Sequence, residues 1–305
     1  MEGAHACLAR RHQRACDLLV TTCVERRFRS VDGVQIVGDE AGPAGAPLVV
    51  LLHGGGQTRH SWSGAVRGLV GRGYQVMSFD ARGHGDSDWS PSGAYELDDR
   101  VNDLAAVLSD VSVSYALVGA SLGGATAIHA VARGLTPSAL VLVDIVPQPE
   151  PVGVERIVAF MTARPDGFAT PEEALDAVAA YNPVRARPRD PAGLLRNLRK
   201  GEDGRLRWHW DPRITHLDRD DHYREVQRSA RVLADKPGIP VLLVRGMQSD
   251  VVSEAGVEAF KAMMPRLEVA RVGGAAHMVA GDRNDAFNAT AIEFLSRHLP
   301  VAVAA

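Results

Sequence analysis

The sequence predicts an α/β fold: a mostly parallel, eight-stranded sheet flanked by helices, with a mainly helical insertion. Three observations carry that reading. Short apolar runs alternate with longer segments of helical spacing, which is the pattern of strands covered on both faces. An alternating stretch with a turn at Asp32-Gly33 precedes them. The alternation stops at Val146 and resumes at Pro240, leaving a proline-rich interval without a buried-strand run.

Taken in order, residues 5–26 read as a short amphipathic helix with Leu8, Cys16, Leu19, Val20 and Cys23 as its apolar positions. FRSVDGVQIVGDEAG (28–42) reads as a hairpin by period and turn type. PLVVLLHGGG is a wholly apolar strand ending in glycines, WSGAVRGLVGRG a helix with a glycine stop, and YQVMSFDARGHG a strand and turn. Leu97, Val101, Leu104, Val107, Leu108 and Val111 fall at helical spacing. YALVG (115–119) is a strand, 121–134 a helix ended at Gly134, and ALVLVDIV (139–146) a strand. Helices are expected over 151–163, 171–180 and 221–235. Then follow the strand PVLLVRG, a helix over 253–264, the strand LEVARV and a helix over 284–298. The expected organisation is an N-terminal helical extension over 1–27, a core of 28–146 and 237–305, and an insertion over 147–236.

Bulk composition narrows the function classes. The chain has 305 residues, 46% of them hydrophobic, with 30 glycines and 17 prolines, a turn-rich globular composition. The formal net charge is -3 with both signs interspersed, which gives no case for a nucleic-acid partner. The cysteines, Cys7, Cys16 and Cys23, are odd in number and lack a Cys-x-x-Cys pair, which argues against a disulfide framework or a zinc site. No long apolar run marks a signal peptide or a membrane span, so the expected compartment is the cytoplasm, with no membrane partner. The N-terminal helix and the insertion offer surfaces for a homodimer. His209 and His216 read as surface or packing residues of the insertion.

The chemistry concentrates at Gly119-Ala120-Ser121-Leu122-Gly123. A strand ends there and a helix begins, so a tight join forces Ser121 into a strained conformation at the top of the sheet. The glycines let strand and helix approach, and the Leu122 amide sits at a helix N-terminus, free to stabilise negative charge. A serine hydroxyl needs a histidine base and an orienter for that base. His277 lies in a glycine-rich loop after the last strand, at the sheet end where Ser121 is expected. Asp250, after PVLLVRGMQS, is the favoured orienter; Asp144, ending ALVLVD, is its rival. The LLHGGG turn supplies a second amide donor, Gly55, with His53 as a structural brace. A phosphate-binding loop is excluded because no Gly-Lys-Ser/Thr follows, and a dinucleotide site because Gly-x-Gly-x-x-Gly is absent from that turn.

On these residues the chain resembles the α/β-hydrolase fold superfamily. The matching stretches are His53-Gly54-Gly55, Asp80 to Ser87, Gly119 to Gly124, Asp250 after a strand and His277 before the final helix. The resemblance implies that Ser121 attacks a carbonyl carbon, His277 moves the proton and Asp250 orients it, with the Gly55 and Leu122 amides as an oxyanion hole. It implies that Arg82 and Asp86 tie loops together, and that 147–236 is a helical cap over the pocket. Phe160, Phe168, Trp208 and Trp210 of the cap, and Trp62 beside the glycine loop, then become candidate substrate walls.

The expected function is a serine hydrolase of a small, largely apolar carboxylic ester or lactone, working without cofactor or metal on a small-molecule substrate. The alternatives are a carbon–carbon bond hydrolase or a cofactor-free perhydrolase or haloperoxidase-like enzyme, and outside enzymes a ligand-binding protein on the same scaffold.

Overall fold

The computed structural model describes residues 23–182, 192–277 and 284–302. The elements run β1 (Val24–Arg29), β2 (Gln35–Ala41), β3 (Leu48–Leu52), α1 (Ser63–Val70), β4 (Gln75–Phe79), α2 (Leu97–Val107), β5 (Tyr115–Ala120), α3 (Leu122–Ala132) and β6 (Ala139–Val143). The insertion holds α4 (Pro151–Thr162), α5 (Pro171–Tyr181), α6 (Ala192–Leu195), β7 (Leu198–Lys200), β8 (Leu206–Trp208) and α7 (Arg219–Ala234). The chain closes with β9 (Val241–Gly246), α8 (Glu254–Met263), β10 (Glu268–Val272) and α9 (Asn284–His298).

Eight strands form one sheet in the order β1-β2-β4-β3-β5-β6-β9-β10. β1 and β2 pair antiparallel, as does β2 with β4, and every pairing from β4 to β10 is parallel. The hairpin turns where expected: Ser30 donates its amide to Val34, and Gly33 takes a φ of 88° that suits glycine. The wholly apolar runs β3, β6 and β9 are buried along their full length. Their alternate residues feed two cores, as a period of two requires. Val49 and Leu51 of β3 join Leu69, Phe287 and Leu295 under α1 and α9. Val50 and Leu52 join Leu104, Ile128, Val226 and Phe260 under α2, α3, α7 and α8.

The helix expected over 5–26 lies outside the described residues up to 22, as do Cys7 and Cys16, and its final residues are not helical. Val24 to Arg26 belong to β1, paired with Gly38 to Glu40. Alternating side chains beside an open sheet edge favour a strand there over the last turn of a helix.

The segment after β6 carries more than helices. β7 and β8 form a two-stranded ribbon too short to show a period in sequence. Phe168, Trp208 and Trp210 build a small separate core within it. The ribbon is tied firmly to the turn after β4. The Asp211 amide donates to Gly83 O (2.8 Å), Tyr95 Oη to Asp211 Oδ2 (2.5 Å) and Trp89 Nε1 to His209 O (3.2 Å). Arg82 donates to Asp103 (2.7 Å) and Asp32 (3.0 Å), and Asp86 accepts from Arg59 (2.7 Å), so both tie loops together. Among the described residues no helix is long and apolar enough to cross a membrane.

Candidate active site

β5 delivers Ser121 to the top of the sheet and α3 starts at the next residue. Ser121 holds φ 46° and ψ -110°, a conformation that costs a non-glycine residue about 1–3 kcal/mol. The surrounding packing enforces it. A Cβ at Gly123 would overlap the Leu52 carbonyl of β3, and one at Gly119 would lie 2.5 Å from Gly123 O. The Ser121 amide donates to Val143 O at 3.0 Å, which locks the turn against β6.

Asp144, directly after β6, is the second non-glycine residue with positive φ, 49°, among the described residues. Its side chain is 1% exposed and points at the histidine: His277 Nδ1 lies 2.8 Å from Oδ2. The Gly246 amide donates to Oδ1 (3.0 Å) and Ser249 Oγ to Oδ2 (2.5 Å). A carboxylate buried with three donors is fixed in position, and it fixes the ring in turn.

The expectation that Asp250 orients the histidine does not fit this geometry. Asp250 is partly exposed and pairs with Arg156 Nη2 of α4 at 3.1 Å. Its backbone is pressed against the insertion: the Glu150 amide donates to Val251 O (2.8 Å), and Gly153 packs on the Asp250 carbonyl, where any Cβ would overlap. The loop after β9 therefore turns Asp250 towards the insertion and leaves Ser249 to brace Asp144. The rival carboxylate occupies the position beside the ring.

Two backbone amides stand free beside the serine. Gly54 N–H donates to Gln57 Oε1 and Gly56 N–H to His84 Nε2, each at 3.1 Å, while the Gly55 amide makes no hydrogen bond among the described residues. Likewise Ser121 N–H donates to Val143 O and Gly123 N–H to His53 O (3.1 Å), and the Leu122 amide between them makes no hydrogen bond among the described residues. The Gly123 bond also stitches the glycine loop to the start of α3.

Three neutral imidazoles hold that loop and the turn after β4 that lies against it. His53 Nε2 accepts the Ala81 amide (2.9 Å) and its Nδ1 donates to Gly54 O (2.8 Å), as the bracing role requires. His84 accepts from Gly56 and donates through Nδ1 to Arg82 O (3.2 Å). His209, from the insertion, accepts the Gly85 amide at Nδ1 (2.7 Å). Their rings follow one another at centroid distances of 5.1 and 5.8 Å. Burial pushes all three below the ordinary histidine pKa, His209 to about 3. An accepting nitrogen cannot carry a proton, so the geometry and the burial agree.

Ser121, Asp144 and His277 open on one cavity of about 510 Å³ between the core and the insertion. Gly55 and Leu122 border it, and Phe160, Trp208 and Trp210 form aromatic wall. Trp208 and Trp210 stack at 5.0 Å, with Phe160 against both. Val146, Val154, Ile157, Met161, Leu175 and Val178 make most of the remainder apolar. Trp62 is not part of this wall. It is 1% exposed and packs on Phe287 at 5.7 Å, beneath α1 and α9. The short 3-10 turn Arg59–Trp62 rotates its ring into the core on the far side of the glycine loop. Phe168 is likewise buried, inside the insertion's own small core. No hydrogen bond joins Ser121 Oγ to His277 in this conformation, a contact that such sites often tighten on binding substrate.

A strained serine after β5, a carboxylate–histidine pair from β6 and the β10 loop, and free amides at two turns form one arrangement on this sheet. The model of the "Alpha/beta hydrolase family" matches residues 49–290. The chain belongs to the alpha/beta hydrolase family. It is 33% identical over 218 residues to Esterase Rv0045c of Mycobacterium tuberculosis, covering 68% of this chain and 69% of that protein. The crystal structure of that esterase aligns with a TM-score of 0.72 over 97% of this chain and all of the other, at 26% identity. The sn-1-specific diacylglycerol lipase ABHD11 of Mus musculus is 30% identical over 84% of this chain and 83% of its own length. E-2-(Acetamidomethylene)succinate hydrolase shares the fold with a TM-score of 0.78, over 90% of this chain and all of the other, at 23% identity. This alpha/beta hydrolase is therefore an enzyme of the hydrolase class.

Sequence reasoning missed two parts of the site. His84 braces the glycine loop through a bond across 28 residues of chain, and His209 braces the turn after β4 through one across 124, which no local pattern announces. Ser249 was overlooked beside the more conspicuous Asp250; its signal was the same strand end.

Proposed function

We propose that this alpha/beta hydrolase is a serine esterase of small, largely apolar carboxylic esters. The observation that carries the reading is the 2.8 Å bond from His277 Nδ1 to buried Asp144 at the mouth of the cavity that Ser121 lines. With Nδ1 engaged, Nε2 is the nitrogen left to take the serine proton. Ser121 Oγ bonds to the ester carbonyl carbon as its proton passes to Nε2. The carbonyl oxygen gathers negative charge against the Gly55 and Leu122 amides. The C–O bond to the alcohol then breaks, and the alcohol leaves with the proton held by His277. Water repeats the sequence on the acyl-enzyme: His277 takes its proton, the hydroxide adds, and the serine leaves reprotonated. Asp144 holds the ring in the productive tautomer and stabilises its charged form.

The apolar wall supports an apolar substrate, and the size of the cavity suits a small-molecule ligand. Similarity to an esterase and a lipase supports ester over other acyl compounds. Steady-state hydrolysis of p-nitrophenyl esters from acetate to decanoate tests the reading. Turnover is expected, with kcat/KM rising as the chain fills the cavity and falling once it overfills it. Absence of turnover across the series in folded protein would refute it.

A further inference from the structure

The turn after β9 touches both partners of the Asp144–His277 pair. On the histidine's side, the Gln248 amide donates to Ala275 O (2.9 Å), and a Cβ at Gly246 would lie 2.3 Å from Ala276 O. The turn therefore packs directly on the two residues before His277. On the acid's side, the Gly246 amide and the Ser249 hydroxyl both donate to Asp144. Arg245 ties down the far end of the turn, donating through Nε to Val252 O (2.7 Å). The direction of the Ser249 hydroxyl is decided by its neighbours. Its oxygen accepts the amides of Val251 (3.2 Å) and Val252 (3.1 Å), which occupies both lone pairs. The proton is left for Asp144 Oδ2, 2.5 Å away. That is the same oxygen that lies 2.8 Å from His277 Nδ1. Two donors share one carboxylate oxygen, and each bond that draws on its charge leaves less for the other.

We propose that Ser249 is a positioning residue for the reaction: its hydroxyl holds Asp144 by the oxygen that serves His277 and, by drawing on that oxygen's charge, sets how tightly the imidazole keeps a proton. The inference rests on the esterase reading and deepens it. A base that keeps its proton too tightly is idle at neutral pH, so the hydroxyl widens the range in which His277 can take the proton of Ser121. Among the described residues the charged groups around this turn are engaged with one another. Arg245 and Arg271 pair with Glu254, and Arg156 pairs with Asp250. Glu150, just before α4, is exposed. Tyr181 lies under Arg156 at 5.4 Å, and burial pushes its phenol up. Burial holds His222, on α7 in the cavity wall, to about 4. Neither ring therefore changes charge in the neutral range where His277 works.

The pH profile of kcat/KM for p-nitrophenyl butyrate tests this, with urea midpoints as the check on folding. In Ser249→Ala the carboxylate loses a donor, and its charge falls more fully on the imidazole. The acidic limb of the profile is expected to move up by about half to one pH unit, with KM within about 3-fold of wild type. Ser249→Thr keeps the hydroxyl and should leave the limb within about 0.2 unit of its wild-type position. Ser249→Cys fills the space with a weaker donor and should move the limb the same way by a smaller amount. A limb that stays in place or moves down in Ser249→Ala, or in Ser249→Cys should the alanine variant not fold, would overturn the proposal and leave the esterase reading intact. So would a limb that moves equally far in Ser249→Thr. Wild-type protein that hydrolyses no p-nitrophenyl ester would instead overturn both.

Discussion

Among the described residues two Ser–His–Asp trios stand out: one is hydrogen-bonded throughout, and only the other sits in a site. Ser229, His129 and Asp98 join α7, α3 and α2: His129 Nδ1 lies 2.8 Å from Ser229 Oγ and Nε2 lies 2.9 Å from Asp98 Oδ1. By hydrogen-bond distance alone this trio is the more complete. Yet Ser229 lies inside a regular helix, is 1% exposed and does not line the cavity on which Ser121 opens. Its carboxylate is the exposed member, 61% open to solvent and shared with Arg133. At Ser121 every relation is reversed. The serine is strained and faces a cavity, free amides stand beside it, and the carboxylate is the buried member. Residue types and contact distances do not make a nucleophile; backbone placement, an electrophile's berth and a fixed buried carboxylate do.

The strongest way to break this comparison is to remove each serine. Ser121→Ala is expected to lower kcat for p-nitrophenyl butyrate by at least roughly 10⁴-fold with the urea midpoint little changed. Ser229→Ala should leave kcat within about 3-fold and cost about 1–3 kcal/mol of stability, because it strands a buried imidazole nitrogen. Equal losses of kcat would abolish the distinction. The carboxylates come next. Asp144→Asn should lower kcat by on the order of 10⁴-fold by favouring the wrong tautomer of His277. Asp250→Asn and Asp98→Asn should each stay within about 5-fold, since exposed pairs contribute about 0–1 kcal/mol. A large loss in Asp250→Asn with Asp144→Asn active would restore the other assignment.

Smaller effects sharpen the contrast in backbone. Gly123→Ala places a methyl group into the Leu52 carbonyl and is expected to destabilise the fold by about 1–3 kcal/mol, read from the urea midpoint. Last comes pH. His209 has a folded pKa of about 3 against an ordinary value near 6.5. Between those values the unfolded chain binds the proton and the folded one does not, so stability falls as pH drops through that window. His209→Gln keeps an acceptor for the Gly85 amide without titrating. Its loss of stability between pH 7 and pH 5 should be smaller than the wild type's by about 1–2 kcal/mol.

Much of this was legible because strands and the nucleophile turn are local in sequence. Ser121, Leu122 and Gly55 lie in short stretches whose apolar run and glycines dictate the geometry. His277 was reachable from its place after the last strand. The choice between Asp144 and Asp250 was not, because both follow parallel strands and the decision lies in how the insertion packs. Gly153 and Arg156 of α4 claim the 250 loop, and no pattern near Asp250 records that. Trp62 misled for a related reason. Its neighbours in sequence border the cavity, while a single 3-10 turn sends its ring to the opposite face. The histidine chain through His53, His84 and His209 and the trio at His129 are wholly tertiary.

The most direct test of the central claim is covalent. Wild type, Ser121→Ala, Asp144→Asn and Asp250→Asn would each be treated with an alkyl fluorophosphonate, followed by intact mass and peptide mapping over time. The account predicts one adduct per chain, on Ser121, forming at similar rates in wild type and Asp250→Asn, slowly in Asp144→Asn and not at all in Ser121→Ala. An adduct that persists in Ser121→Ala, or wild type that stays unmodified while folded, would contradict it.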